Sequence, residues 1–319
     1  MAKGAAAGDA WSTALLEQFP PRQRYLVGVS GGRDSVVLVH WLHAHGYRRL
    51  IVCHLDHRLR GRSSAADARF VARLAAANGF SLESSSAEVR RLAAETKRSI
   101  ETAAREARFA FFAKVARRRR CHTIFLGHHA DDLVETSLLN LFRGGGTLGL
   151  RGILPVAKRE IGGVELTILR PLLGVSRAEI DDYIAAHRLR FREDASNQQL
   201  DGLRNRMRHR IIPQLEKEFG RDIRKAVRRA AAIAAEEDEF LASLVPPAGA
   251  ELSLKALRSL PIALQRRAIV GWLRTHAVSE VSFDLVESVR GLLAPSGPAK
   301  VNLPGVRFAR RRAGILFIG

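Results

Sequence analysis

The sequence predicts an α/β fold, a doubly wound and mainly parallel sheet, followed by a helical linker and a small C-terminal α/β domain. Three observations predict it. Apolar runs rich in Val, Ile, Leu and Phe alternate with segments of helical period, the pattern of a sheet buried on both faces. A polar cluster follows each run. The 319 residues also exceed the roughly 250 to 300 at which single cores stop growing, so a second unit is expected.

The runs Tyr25–Val29, Leu50–Leu55 and Thr123–Leu126 read as strands, and the clusters behind them are Ser30–Ser35, His54–Arg60 and Gly127–Glu135. Ligands of open parallel sheets bind beyond the carboxyl ends of the strands, so three polar clusters there imply one shared site. Between the strands, Ala65–Asn78 and Ile100–Arg120 place apolar residues on one face each and read as amphipathic helices. Val156–Leu169 is a hairpin around Gly162-Gly163, and Ser176-Arg177-Ala178-Glu179 opens a helix with a capping box. Residues 204–229 hold ten Lys and Arg against three acidic residues at helical spacing, and Leu244–Leu252, with Pro246-Pro247 and Gly249, reads as a linker. Helices follow at Leu260–His276 and Phe283–Leu293, then a hairpin-like end over Val301–Ile318 carrying Arg307, Arg310, Arg311 and Arg312. The expected domains are 1–215, a basic helical linker over 216–252, and 253–319.

The formal net charge is +20, which attracts polyanions by counterion release and makes nucleic acid the leading partner class over a mere arginine-rich composition. No run of 18 apolar residues occurs, and Met1–Ala10 has no apolar segment, so neither a membrane span nor a signal peptide is expected. The two cysteines, Cys53 and Cys121, sit in or beside apolar runs, which fits buried thiols in a reducing cytoplasm.

Ser30-Gly31-Gly32-Arg33-Asp34-Ser35 stands between a strand and the helical pattern Val36–His43. Two glycines allow a tight turn and close approach, which aims amide N–H groups and a helix N-terminus at negative charge. The loop lacks both the Walker and the dinucleotide signatures. It resembles the SGGxDS signature of the PP-loop, or N-type ATP pyrophosphatase, superfamily, with its adenine nucleotide alpha hydrolase-like fold. The resemblance implies ATP cleaved between its α and β phosphates, with Ser30, Gly31, Gly32, Arg33, Asp34 and Ser35 at the pyrophosphate and Asp34 beside Mg2+.

Further segments fit one branch of that superfamily. They are Ile100–Arg108, Gly127–Thr136, Arg143–Gly146, Arg170–Leu173, Glu193–Asn197 and Arg204–His209, and in this order the chain resembles the tRNA(Ile)-lysidine synthetase family over about residues 25 to 215. The resemblance implies an ATP-dependent carbon–nitrogen ligase of the cytoplasm. Its substrates would be L-lysine and the isoleucine tRNA with a CAU anticodon, whose wobble cytidine is adenylated at carbon 2 and then takes lysine. Many members are homodimers, although no dimer seam is evident. Longer members carry an additional C-terminal tRNA-binding domain for which no sequence is left here.

The residues themselves agree. Asp132 and Glu135 lie three apart on an expected helix, so both carboxylates share a face, suited to holding a lysine amine of reference pKa about 10.4 and helping to deprotonate it. The alternative is a solvated, capping face. Arg105 and Arg108 share a helix face and suit negative charge on a transferring adenylate, or else structural ion pairs. His54, Gly127 and His128 are expected at ATP, and Asp56 with the carboxylate pair at lysine. His54, Asp56, His57, His128 and His129 also admit a zinc reading, disfavoured without cysteine ligands. Arg143, Arg204, Arg206, Arg208, Arg224, Arg228 and Arg310 are expected to contact tRNA. The competing readings are a tRNA thiolase of the same superfamily, which needs reactive cysteines, and a catalytically silent RNA-binding protein.

Overall fold

The computed structural model of the chain describes residues 13–59, 62–192, 202–246, 249–278 and 281–319. The segment Glu193–Asn197 lies outside them. In chain order, α1 (Thr13–Gln18), β1 (Tyr25–Gly28), α2 (Arg33–Ala44), β2 (Leu50–Asp56), α3 (Arg62–Ala77) and β3 (Ser81–Ser86) come first. Next are α4 (Val89–Thr96), α5 (Ile100–Arg119), β4 (Thr123–Phe125), α6 (Ala130–Phe142), α7 (Gly146–Leu150), β5 (Val156–Ile161), β6 (Val164–Leu169) and α8 (Arg177–His187).

The larger sheet has the order β3-β2-β1-β4-β6-β5 among the described residues. Its pairs are parallel except the β5–β6 hairpin, which turns at Gly162-Gly163. Adjacent residues of β1 point to opposite faces, and each face has its own core. Tyr25 and Val27 pack with Val37, Leu38 and Leu42 of α2, Val71 of α3 and Ile180 of α8, whereas Leu26 packs with Phe109, Phe112 and Val115 of α5. Helices thus cover both faces, which is why the strands read as continuous apolar runs. The strand order reverses between β1 and β4, the topological switch point where α/β proteins hold ligands.

Local signals set the helix ends. Ser99 caps α5 by accepting from the Thr102 amide, and Arg117, Arg118 and Arg119 occupy its last turn, where positive charge suits the helix dipole. Ser176 and Glu179 form the expected capping box on α8. The edge strand β3, of sequence SLESSS, has no apolar alternation to announce it. Its Glu83 is buried and bonded to Arg118 and Arg119, the latter at 2.5 Å.

The basic stretch of residues 204–229 is interrupted rather than one helix. It comprises α9 (Leu203–Arg206), a π-helical turn (Met207–Ile211) and α10 (Ile212–Phe219), which ends at Gly220 with φ 57°. There α11 (Ile223–Ser243) begins. Then follow β7 (Leu252–Ser253), α12 (Leu254–Arg258), α13 (Ile262–Thr275), α14 (Phe283–Gly291), β8 (Lys300–Leu303), β9 (Arg307–Arg312) and β10 (Ile315–Ile318). The last strands form an antiparallel sheet of order β7-β10-β9-β8.

The chain divides into two compact units, one of 1–135 with 153–224 and the other of 136–152 with 225–319. The second has its own core around Trp272, Ile269, Leu273, Val289 and Leu316. Asp238 of α11 is buried there and accepts from Arg151 and Arg267.

Candidate active site

The turn after β1 is built as a cradle. Gly31 has φ +91°, a conformation side chains disfavour, and its carbonyl accepts from the Arg192 amide at 2.9 Å. The Ser30 hydroxyl accepts from the Gly32 amide at 3.2 Å, the Ser35 hydroxyl donates to the Gly32 carbonyl at 2.8 Å, and the two hydroxyls are 3.3 Å apart. Gly32 caps α2 without a side chain, so that helix N-terminus carries no internal counter-anion of its own capping residue. Arg33 turns away to an ion pair with Asp181 at 2.5 Å and lies over the Phe191 ring at 4.9 Å.

Gly127, just past β4, presses against this cradle. A Cβ there would lie 3.0 Å from the Asp34 carbonyl oxygen and 3.3 Å from the Ser35 amide nitrogen. Only a glycine allows the two strand-end loops to meet this closely. Asp34 itself is bonded to Arg177, and its carboxylate is 3.8 Å from Nε2 of the buried His129. Sequence reading did not assign either partner to the site. Arg177 was legible only as a helix-start residue, and His129 only as a member of its motif and of the disfavoured zinc reading.

At the N-terminus of α6 the acidic residues separate by environment. Burial works against the Asp131 carboxylate, yet bonds from His129 and the Arg177 amide and the charge of Arg224 hold it far below the usual range. Asp132 is also lowered, burial being overcome by His129, His128 and Arg208. Glu135 has no exposed surface, and burial raises its carboxyl despite Arg208. Arg208 binds both carboxylates, through Nε to Glu135 and through Nη2 to Asp132 at 3.1 Å and Glu135 at 3.0 Å.

A cluster of cations adjoins the pair. Burial, then the charges of Arg105 and Arg204, lower Arg108 to about 10, and its buried Nε has no hydrogen-bond partner. Burial and Arg105 also lower Arg170 to about 10. Arg105 lies over the Phe109 ring at 5.3 Å, with Arg159 over the same ring at 4.3 Å. His128 accepts at Nδ1 from Arg170 at 3.1 Å, and burial pushes it down to about 3, so it is neutral near pH 7.

On the other flank of β1, His54 is buried at the end of β2. Its Nδ1 is 2.9 Å from the Val29 carbonyl, and its Nε2 has no partner. Asp56, two residues on, accepts from the Arg58 amide at 2.8 Å. Strand order therefore puts Asp56 on the β2 side of β1, whereas Asp132 and Glu135 follow β4 on the other. Among the described residues no group of three His, Cys, Asp or Glu is arranged to hold a metal. No helix among them is long and apolar enough to cross a membrane. Burial raises both thiols, Cys53 to about 12.

The arginines expected at tRNA part ways. Arg206 and Arg310 are exposed in their separate units, and so is Arg143. Arg228 is half-buried. Arg208 and Arg224 instead bind carboxylates, Arg224 those of Asp131 at 2.9 Å and Glu216, and Arg204 stands 3.4 Å from Glu135. In the free chain these three serve as counter-cations, which buried acids need. Arg307 and Arg311 likewise donate to backbone carbonyls, such as His276 at 2.7 Å and Gly297 at 2.6 Å.

A mainly parallel sheet with a Ser-Gly-Gly cradle at its switch point defines an ATP-binding protein of the PP-loop class. The PP-loop domain family matches residues 10–215, and the TilS substrate binding domain matches 252–317. Similar curated proteins are each named tRNA(Ile)-lysidine synthase. That of Geobacter sulfurreducens is 38% identical over 93% of this chain and 67% of its own length. The values for Bacillus licheniformis are 34%, 92% and 64%, and for Thermosynechococcus vestitus 35%, 94% and 87%. The chain belongs to the tRNA(Ile)-lysidine synthase family. It spans about two thirds of the length of the first two relatives. Among solved structures, the U34-tRNA thiolase NcsA from Methanococcus maripaludis with its [4Fe-4S] cluster matches with a TM-score of 0.55 at 15% identity, over 72% of this chain and 77% of that one, a likeness of fold.

Proposed function

We propose that the protein ligates L-lysine to carbon 2 of the wobble cytidine of the isoleucine tRNA with a CAU anticodon, converting ATP to AMP and pyrophosphate in the cytoplasm. A cytidine carbonyl is a poor site for amine substitution, because its oxygen must depart as hydroxide or water. Adenylation turns that oxygen into a leaving group: it attacks the α-phosphorus, and pyrophosphate departs. The lysine ε-amine, having lost a proton, then forms the new C–N bond as AMP leaves. The lysidine formed pairs with A rather than G, which changes the codon and amino-acid specificity of the tRNA.

The observation that carries this reading is the pairing, at the ends of adjacent strands, of a phosphate cradle and two carboxylates, the half-buried Asp132 and the buried Glu135. The Ser30–Ser35 cradle would hold the pyrophosphate end. Magnesium fits there, since it takes one or two carboxylates plus phosphate oxygens, and Asp34 is the carboxylate at hand. His54, with its unpartnered buried nitrogen, suits the nucleoside, together with Gly127 and the neutral His128. Asp132 and Glu135 would bind the ammonium and take its proton; raised by burial, Glu135 is the better proton acceptor. Arg105 and Arg108 offer charge to the phosphoryl group in transfer. Asp56 is kept as a lysine contact through the amino acid's far end. Phosphate contacts are assigned to Arg143, Arg204, Arg206, Arg208, Arg224, Arg228 and Arg310, of which Arg204, Arg208 and Arg224 face carboxylates in the free protein.

The test is ATP-dependent transfer of labelled lysine to a panel of tRNA transcripts, with Asp34→Ala and Asp132→Ala alongside. Incorporation restricted to the CAU isoleucine tRNA and lost in both variants is expected. AMP release without lysine transfer would instead indicate another nucleophile, such as sulfur, and neither signal would indicate a silent RNA-binding protein.

A further inference from the structure

The carboxylate pair read above as the amine site already holds a cation. Arg208 makes three bonds to it, two of them to Glu135, which solvent does not reach. Arg204 stands 3.4 Å from the same Glu135 oxygen that takes one of those bonds. Two carboxylates are thus matched by two guanidiniums, and Arg105 and Arg108 stand near, each lowered first by burial and then by charges that include Arg204. A lysine ammonium cannot be added to this balance without expelling a positive charge, since an unmatched buried charge is costly.

Arg208 is the guanidinium best placed to leave. Its side chain retains 24% exposure, and it belongs to the Met207–Ile211 π-helical turn, an irregularity that helices tolerate in short pieces and often at functional sites. Arg206 and Arg210, on either side, are exposed. A polyanionic backbone drawn to them meets Arg208 as well, and a phosphate offers a guanidinium the same two-oxygen geometry as a carboxylate.

We infer that Arg208 is a stand-in for the substrate ammonium, which an RNA phosphate draws off the Asp132–Glu135 pair, so that tRNA and lysine bind synergistically. This rests on the reading of that pair as the amine site. It reconciles the basic motif Arg204–His209 with a contact to carboxylates: the residue serves the acids in the free protein and the RNA in the complex.

The experiment measures lysine affinity without ATP, with and without the unmodified tRNA transcript, so that no turnover intervenes. In the unaltered protein tRNA raises lysine affinity by about tenfold or more, and by linkage lysine raises tRNA affinity by the same factor. Arg208→Gln binds lysine more tightly in the absence of tRNA and loses the synergy; Arg208→Lys, which keeps the charge but not the two-nitrogen fork, falls between. Equal lysine affinity with and without tRNA in the unaltered protein overturns the inference, and this arm needs no variant to fold. Weaker lysine binding by Arg208→Gln also overturns it. Asp132→Asn and Glu135→Gln separate the two levels: if neither weakens lysine binding, the amine site itself is misread. If both do while Arg208→Gln keeps the synergy, only the stand-in fails.

Discussion

Replacing Gly127 by alanine probes the link between the two strand-end loops. The added methyl would sit 3.0 Å from the Asp34 carbonyl oxygen and 3.1 Å from its carbon, where ordinary contacts begin near 3.4 Å. Backbone, not a flexible side-chain tip, stands in the way, so the first turn of α2 must retreat by a few tenths of an ångström. Overpacking of this kind costs about 1–3 kcal/mol. The displaced atoms are those that aim the amides of Gly32–Ser35 at phosphate, so ATP affinity should fall by about tenfold, while lysine affinity measured without ATP is kept. Gly162→Ala is the control. It has φ +55° and nothing within 4 Å of the new methyl, so it should lose about 1–2 kcal/mol of stability and no ATP affinity. Calorimetric titration with ATP and thermal melting of both variants decide the matter. If Gly127→Ala melts lower yet binds ATP as tightly as the parent, the cradle does not depend on that contact and the reasoning is refuted.

Other expectations follow from the same geometry. Arg310 and Arg312 are exposed on β9, so changing both to glutamine should weaken tRNA binding and reduce its salt slope by about 2, whereas Arg311→Gln should lower the melting temperature first. Asp238 is buried between Arg151 and Arg267, and Asp238→Ala should cost about 3–5 kcal/mol in denaturant titration. His128 is lowered to about 3, so the unfolded chain takes up the proton first. The resulting stability is complete above the ordinary value near 6.5 and is lost as pH falls towards 3. At pH 5 the deficit from this residue approaches about 2 kcal/mol, and His128→Asn should remove it; equal acid sensitivity of the two proteins would falsify the assignment.

Much of the architecture was legible because burial on both faces leaves a plain signal. β1, β2 and β4 are mostly apolar, Gly162-Gly163 makes its hairpin, and the Ser176 box caps α8 as its spacing predicts. The strand β3 escaped notice because an edge strand of SLESSS is held by its pairing to β2 and by Glu83 on two arginines, neither of which has a periodicity. The cradle and the carboxylates were legible through local motifs. Arg177 was not legible as a site residue, nor Arg208 as a partner of the carboxylates, because each meets its carboxylate across 73 or more positions of chain. Charge density marked the stretch around Arg208 as basic, but only tertiary structure assigns which of its guanidiniums face inward.

The two thiols lead somewhere practical. Cys53 lies inside β2 with its ionisation pushed up to about 12, and Cys121 is buried and donates to the Arg24 carbonyl at 3.1 Å. Maleimides and oxidants attack thiolates, of which such a Cys53 presents almost none at pH 7. The chain is therefore a near-silent background for labelling. A cysteine introduced at exposed Arg206 should take a fluorophore ahead of both native thiols, turning the approach of RNA to that segment into an optical signal.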